Sequence, residues 1–421
     1  MQLTAHSGAG EEVGAPYDVA AVRTDFPILH RPVRGRPLVY LDTAASAQKP
    51  AQVMDAERRF YAEDYANIHR GLYSLSQRAT DCYDTARRKV ASFLNARNDR
   101  EIVFTRNATE AINLVAASFG EAFLKEGDEV VITGLEHHSN IVPWQLLRRK
   151  KGIVLKVAPL NDRGEVPLDG FTRLLGPRTR LAAFAQVSNA LGTNLPAAEM
   201  IRAAHAAGAK ALIDGSQSVV HMGADVQALD CDFFVFSGHK LYGPTGIGVL
   251  YGKEELLEAM PPYQGGGDMI ASVTFDESTF APLPSKFEAG TPAIAQAVAL
   301  GAAIDYVTSL GLERIRAHES KLLDYALGRL SAFAPLSIIG TAASRSSVIS
   351  FVIAGVHPHD IAHVLDASGV CIRAGHHCAQ PVMARFGVPA TARASFGLYN
   401  TIGEVDALAD ALEKVEALFL R

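Results

Sequence analysis

The 421-residue chain carries only four cysteines, Cys82, Cys231, Cys371 and Cys378, and a single tryptophan. So few thiols, with no CxxC pair among them, exclude a disulfide framework, so each is weighed as an individual thiol. No excess of one charge is present: 40 Lys and Arg against 45 Asp and Glu leave a formal net charge of −5 and a pI near 6.3. With no Lys/Arg block that could serve as a polybasic patch, a nucleic-acid partner is not expected. Apolar runs long enough to span a bilayer are missing, and Met1–Tyr17 lacks a charged segment followed by an apolar one. A cytoplasmic protein with no membrane partner is expected. Gln264-Gly265-Gly266-Gly267-Asp268 lacks the spacing of a nucleotide P-loop and reads as a mobile loop, not a phosphate cradle.

Hydrophobic residues make up 48% of the chain, ample for a sizeable core, and the length predicts two or three domains. The organising stretch is Asp232–Lys240. Phe233-Phe234-Val235-Phe236 has no polar interruption, as a strand buried on both faces requires, and the chain then breaks into Ser237-Gly238-His239-Lys240. Lys240 thereby reaches the carboxyl end of a buried strand. Desolvation there lowers the pKa of an amine far enough for Schiff-base chemistry, the alternative being an ordinary surface lysine. Lys210–Ile213 likewise ends in Asp214 and Gln217. Asp214 is either a helix cap or the carboxylate that keeps a pyridoxal ring nitrogen protonated.

Other strands end in the same manner. Glu129–Thr133 leads to His137, which either lies over a cofactor ring or is held by loop hydrogen bonds. Leu181–Ala185 leads to Asn189, whose amide suits a ring oxygen or a substrate. Glu101–Thr105 runs through Arg106-Asn107-Ala108-Thr109-Glu110 into an amphipathic helix, where free amides suit a phosphate, although Thr and Asn are also plain caps. Successive buried strands finishing in Asp, His, Asn, Gln or Lys point to one ligand site at the carboxyl edge of a mainly parallel sheet.

Met1–Val22 is small and polar and reads as a loose tail, within an arm over 1–25. A helix with apolar positions Val53, Met54 and Phe60 follows, and Asn67–Ser74 reads as a functional loop or a cap. Phe287–Pro292 precedes an alanine-rich helical run from near Ala293, which places a boundary near residue 295. Beyond it come helices to about Phe333, a strand over 347–353, a helix near 361–368 and a last helix from Val405, the pattern of a smaller α+β domain.

That second domain contains Val370–Pro381. Cys378 stands at a helix start beside His376 and His377 and within reach of Arg373, a setting that favours thiolate. Zinc ligation by His376, His377 and Cys378 is the weaker reading, because adjacent side chains rarely converge on one metal and no second cluster completes four ligands. Cys371 reads as a small core residue. Arg393 suits a two-pronged grip on a carboxylate, or a surface ion pair.

Taken together, Ser237-Gly238-His239-Lys240, Asp214-Gly215-Ser216-Gln217 and Arg373-Ala374-Gly375-His376-His377-Cys378-Ala379 resemble the cysteine desulfurases of the SUF iron–sulfur system. These form the second (group II) of two desulfurase groups in the class V aminotransferase family, and the resemblance runs from about Phe26 to the C-terminus. It implies an α/β protein of the PLP-dependent transferase fold type I. A large, mainly parallel seven-stranded sheet domain would span 26–295, and a small α+β domain over 296–421 would carry the cysteine loop, in a homodimer.

The resemblance further implies catalytic roles for Lys240, Cys378 and His137. Lys240 would be the Schiff-base lysine, Asp214 the ring-nitrogen partner, His137 the ring-stacking residue and Gln217 the partner of the ring hydroxyl. Ala108, Thr109, Ser237 and His239 would hold the phosphate, with Thr291 reaching it from the other subunit. Asn189, Arg393 and Arg373 would hold substrate, with His69 at the pocket mouth. Where the family commonly shows a second histidine after His69-Arg70-Gly71, this chain has Tyr73. The implied cofactor is pyridoxal 5′-phosphate, with no metal. The implied reaction turns L-cysteine into L-alanine with a persulfide on Cys378, passed to an acceptor of the SufE or SufU type, and selenocysteine lyase activity accompanies it. The alternatives are another enzyme on the same scaffold, such as an aminotransferase or a kynureninase-like hydrolase, and a non-catalytic sulfur-carrier or metal-binding scaffold.

Overall fold

The computed structural model describes residues 17–420. Seven strands form the central sheet: β1 Ile102–Thr105, β2 Glu129–Thr133, β3 Val154–Ala158, β4 Thr179–Ala185, β5 Lys210–Asp214, β6 Phe233–Ser237 and β7 Gly248–Gly252. Their spatial order is β1-β7-β6-β5-β4-β2-β3, and only β7 runs against the rest. The continuous apolar runs follow from burial on both faces. Within β6, Phe234 and Phe236 enter one core while Phe233 and Val235 enter the other, and Ala182/Phe184 against Leu181/Ala183 divide the same way in β4. Edge strand β3 is half-exposed, and its Lys156 pairs with Glu129 of β2 at 2.7 Å.

A second, antiparallel sheet comprises β8 Leu336–Ile339, β9 Val348–Ile353, β10 Arg373–Gly375 and β11 Thr391–Ser395, in the order β8-β9-β11-β10. Its core is completed from the other end of the chain by Val39 and Leu41. Val39–Tyr40 pairs in parallel with Val370–Cys371, so the segment leading to the thiol is tied to the segment leading to Asp42. The helix Ile294–Leu310, just past the expected boundary, packs against the helices Ala51–Arg59 and Ser74–Phe93 of the first half.

Several local expectations need correction. Of the expected tail, residues 1–16 lie outside the described residues, whereas 17–25 are docked. Tyr17 donates its hydroxyl to the Leu398 carbonyl at 2.7 Å, and Val19–Thr24 is a helix that buries Val22. Arg23 reaches Glu404 at 2.9 Å. Met54 points outward, because Val53 and Phe60 take the buried side of their helix and of the turn that ends it. The last helix begins at Ile402, under a capping box formed by Thr401 and Glu404. A basic run passed over in the sequence, Arg148–Lys151, closes the helix Val142–Lys151, where cations complement the carboxyl end of the helix dipole. Among the described residues no single helix is long and apolar enough to cross a membrane.

Gly248 opens β7 directly against the start of the helix Ala108–Phe123. A Cβ placed there would lie 2.4 Å from the Asn107 Cα and 2.6 Å from its carbonyl carbon. Both are backbone atoms that cannot yield without moving the helix. Gly248→Ala is therefore expected to destabilise the protein by about 1–3 kcal/mol, the range for overpacking a filled site. Urea unfolding checks this, and a midpoint equal to that of the native protein would refute it.

Candidate active site

Because β1, β2, β4, β5 and β6 run in the same direction, their carboxyl ends open on one edge, where a cavity of about 330 Å³ lies. Twelve of the fourteen residues singled out in the sequence line it: Ala108, Thr109, His137, Asn189, Asp214, Gln217, Ser237, His239, Lys240, Arg373, Cys378 and Arg393. His69 and Thr291 do not. His69 lies on a loop edge-on to Tyr83 with its Nε2 4.0 Å from Asp84, and Thr291 lines a separate hollow with Tyr263, Gln264 and Glu288.

The base of the cavity is built from strand ends. Lys240 follows β6 through a single 3-10 turn, and burial pushes its pKa down, with Asp214 opposing and Arg393 assisting. Asp214 ends β5 and accepts from the Ser216 N–H at 2.9 Å. Gln217 donates its amide to the Ala44 carbonyl at 2.8 Å. At the helix start, Asn107 caps through the Glu110 N–H, and the Ala108 N–H donates to Ser237 Oγ at 2.9 Å. His239 contacts Ser46 Oγ through Nδ1 at 3.1 Å, and burial followed by the Lys240 charge lowers its pKa to about 4.

His137 is anchored by its own loop. Its Nδ1 accepts from the Ser139 N–H at 3.1 Å, which places the ring proton on Nε2. Burial and then the Lys240 charge push its pKa down to about 4, so the ring is neutral at neutral pH. The preceding Glu136, which sequence reasoning missed, is wholly enclosed. It accepts from Thr133, from Asn140 at 2.7 Å and from the Ala185 N–H at 3.0 Å, tying the end of β2 to the end of β4, and burial raises its pKa to about 7.

The opposite wall comes from the second sheet. Arg373 and Arg393 are direct cross-strand partners, a like-charge pairing that is unfavourable unless compensated. Asp42 compensates it with one oxygen for each: Oδ2 receives Arg373 at 2.9 Å and Oδ1 receives Arg393 at 3.1 Å. Asp42 was also missed, although Val39-Tyr40-Leu41-Asp42 obeys the same rule of an apolar run ending in a polar residue. Arg393 donates further to the Asn189 carbonyl at 2.8 Å, while its Nε is buried without a partner. The amide of Asn189, expected to meet a ring oxygen or substrate, donates to the His377 carbonyl at 2.7 Å.

Cys378 is exposed at the cavity wall. Of the two histidines beside it, His377 does not supply the positive charge expected. His377 is turned inward to Thr391 Oγ1 at 2.7 Å, and burial with the nearby Arg393 charge lowers its pKa to about 3. Cys371 is half-buried and packs against the main core.

The family model for class V aminotransferases matches residues 39–408. The chain belongs to this family. It is 52% identical over 403 residues to a cysteine desulfurase of Dickeya dadantii, covering 96% of this chain and 98% of that one. A cysteine desulfurase of Escherichia coli, solved in an S-sulfonic acid form, superimposes with a TM-score of 0.90 at 42% identity, over 96% of this chain and 100% of that one. The apo cysteine desulfurase of Thermococcus onnurineus gives a TM-score of 0.90 at 38% identity, over 94% and 97%. The fold is that of PLP-dependent enzymes of type I, and pyridoxal 5′-phosphate is the cofactor. The donor set fits it: a helix N-terminus with Thr109, Ser237 and His239 for a phosphate, Asp214 for a ring nitrogen, and a desolvated amine for an aldehyde.

Three of the depressed histidines, His137, His239 and His377, are held far below the ordinary value and set a pH response for the cofactor-free protein. Each has a folded-state pKa below the ordinary value of about 6.5, so the unfolded chain takes up protons first as pH falls. Stability is expected to decline from about pH 6.5, with the His137 and His239 contributions levelling off near pH 4 and that of His377 near pH 3. His377→Asn should flatten that decline in calorimetric melting temperatures between these limits. An unchanged slope would show that His377 is not held neutral.

Proposed function

We propose that this chain is a cysteine desulfurase of the SUF (group II) type, converting L-cysteine to L-alanine with a persulfide on Cys378. The observation that carries this reading is that Lys240 and Cys378, which belong to different sheets, line one cavity. An aminotransferase or a hydrolase on this scaffold would leave the thiol idle, and a carrier scaffold would have no use for a buried lysine.

Each role follows from the local chemistry. Arg393, with a buried unpartnered Nε, offers the substrate carboxylate a charged donor, and Arg373 offers a second. Bound pyridoxal phosphate supplies the electron sink that makes the substrate Cα–H acidic. Lys240, desolvated and so favoured as a free amine, takes the Cα proton, while His137 holds a proton on Nε2 at the same cavity. The Cys378 thiolate attacks the substrate sulfur. An S–S bond forms as the Cβ–S bond breaks, its electron pair passes to the carbon side, and protonation there completes L-alanine.

The exposed thiol suits onward delivery of the outer sulfur to an acceptor protein of the SufE or SufU type, in the service of iron–sulfur cluster assembly. Selenocysteine is a further substrate of the same machinery, because the C–Se bond is weaker. Exposed Leu72 and Phe275, together with Thr291 lying outside the cavity, support a homodimer in which Thr291 completes the partner's phosphate site. We place the protein in the cytoplasm, with the large domain ending near residue 295.

Incubation with L-cysteine followed by peptide mass spectrometry tests the reading. A mass gain of one sulfur is expected at Cys378. Cys378→Ala is expected to keep the visible absorbance of bound cofactor and to lose sulfide release by at least about a hundredfold. Sulfur found only on Cys82 or Cys231, or turnover surviving in Cys378→Ala, would overturn the assignment.

A further inference from the structure

Cys378 sits on a bend that local preference opposes. It and His377 both adopt φ of 53°, in the left-handed region that side chains with a Cβ avoid. Two consecutive residues stay there only when contacts from outside over-determine them. Three such contacts come from the loops at the carboxyl ends of β2 and β4. Asn189 Nδ2 donates to the His377 carbonyl at 2.7 Å, the His138 main-chain N–H donates to the Cys378 carbonyl at 2.7 Å, and the Gln380 N–H donates to His138 Nε2 at 3.1 Å.

Two of the three belong to His138. It donates to the Cys378 carbonyl through its backbone and accepts from the Gln380 N–H through its ring, so it grips the chain at two points, on either side of Ala379, directly after the residue that carries the sulfur. Its ring also lies 5.6 Å from that of His376, before the bend. Partial burial and then the His376 neighbour keep its pKa below the ordinary range, which preserves the accepting lone pair. His138 follows His137, so the loop that presents one ring to the cavity fastens the thiol with the next.

We propose that His138 is a positioning residue whose ring nitrogen latches the thiol loop, fixing where the Cys378 sulfur stands over the cavity. Gln380 is an exposed residue and the bond lies in an exposed setting, where water can take over the N–H when the latch is absent. The bond is thus not required to satisfy a buried donor, and its loss shifts the population of the loop instead of unfolding it. The kinetic consequence rests on the desulfurase reading, whereas the latch does not.

The test uses the holoenzyme with His138→Ala, His138→Leu, which keeps bulk without an acceptor, and His138→Gln, which restores an acceptor. In the Ala and Leu variants, alkylation of Cys378 by iodoacetamide should change by about three- to tenfold, the worth of one hydrogen bond. Their kcat for sulfide release should fall by a similar factor, with KM for L-cysteine and the cofactor spectrum unchanged, and His138→Gln should return both rates towards native values. Native alkylation in both Ala and Leu variants would overturn the proposal. So would full rescue by Leu, which would assign the effect to packing. If no form of the protein releases sulfide, the desulfurase reading fails, yet the alkylation arm still decides the latch.

Discussion

The site depends on keeping one amine out of water. Lys240 is placed at the end of β6, a strand whose alternate residues belong to two different cores, so the chain cannot rotate the lysine outward without removing Phe234 or Phe236 from one of them. Desolvation dominates the depression of its pKa, and the same desolvation holds His137 and His239 neutral. One physical cause therefore sets several protonation states. The cavity contains a disfavoured ammonium and two uncharged rings, and the Asp214 side chain beside them accepts from the Ser216 amide.

A second constraint joins the two sheets. Arg373 and Arg393 stand opposite each other on β10 and β11, and separately neither position would favour two cations. Asp42 makes the pair tenable, and it does so from a segment held by pairing with Val370–Cys371 and by a bridge to Ser395. The arginine-lined wall is thus assembled from three distant stretches of chain. Its remaining demand is visible at Arg393, whose Nε is buried and still lacks an acceptor, a cost that an incoming acceptor relieves.

Sequence reading was strongest where burial is most complete. Strands β1, β2, β4, β5 and β6 are nearly uninterrupted apolar runs, and their polar terminators led to the cavity. The two unrecognised strands of the central sheet are those where this signal fails: β3 is an edge with Lys156 at its centre, and β7 is a short strand between glycines. Asp42 ends an apolar run as the other site residues do, but its two partners stand far along the chain at residues 373 and 393, and Glu136 is bound to residue 185 as well as to its neighbours Thr133 and Asn140. The charge compensation at Asp42 has no local pattern. His377 shows the converse error, since proximity in sequence to Cys378 suggested a cation, whereas the left-handed turn sends its ring towards Thr391.

The division of labour between the sheets follows from incompatible requirements. A lysine that must be a free amine belongs in the dry interior, but a sulfur that must leave the protein belongs on an accessible loop. No single strand end provides both. Here the amine comes from the buried edge of the parallel sheet and the thiol from a loop beyond β10, rooted in a separate core. Bringing an exposed loop to a buried cavity forces the chain through two left-handed residues, at roughly 1–2 kcal/mol each. The hydrogen bonds from Asn189 and His138 offset that strain, and they come from the same loops that shape the cavity. The reach of the thiol is therefore set by the parallel sheet, although the thiol itself belongs to the other.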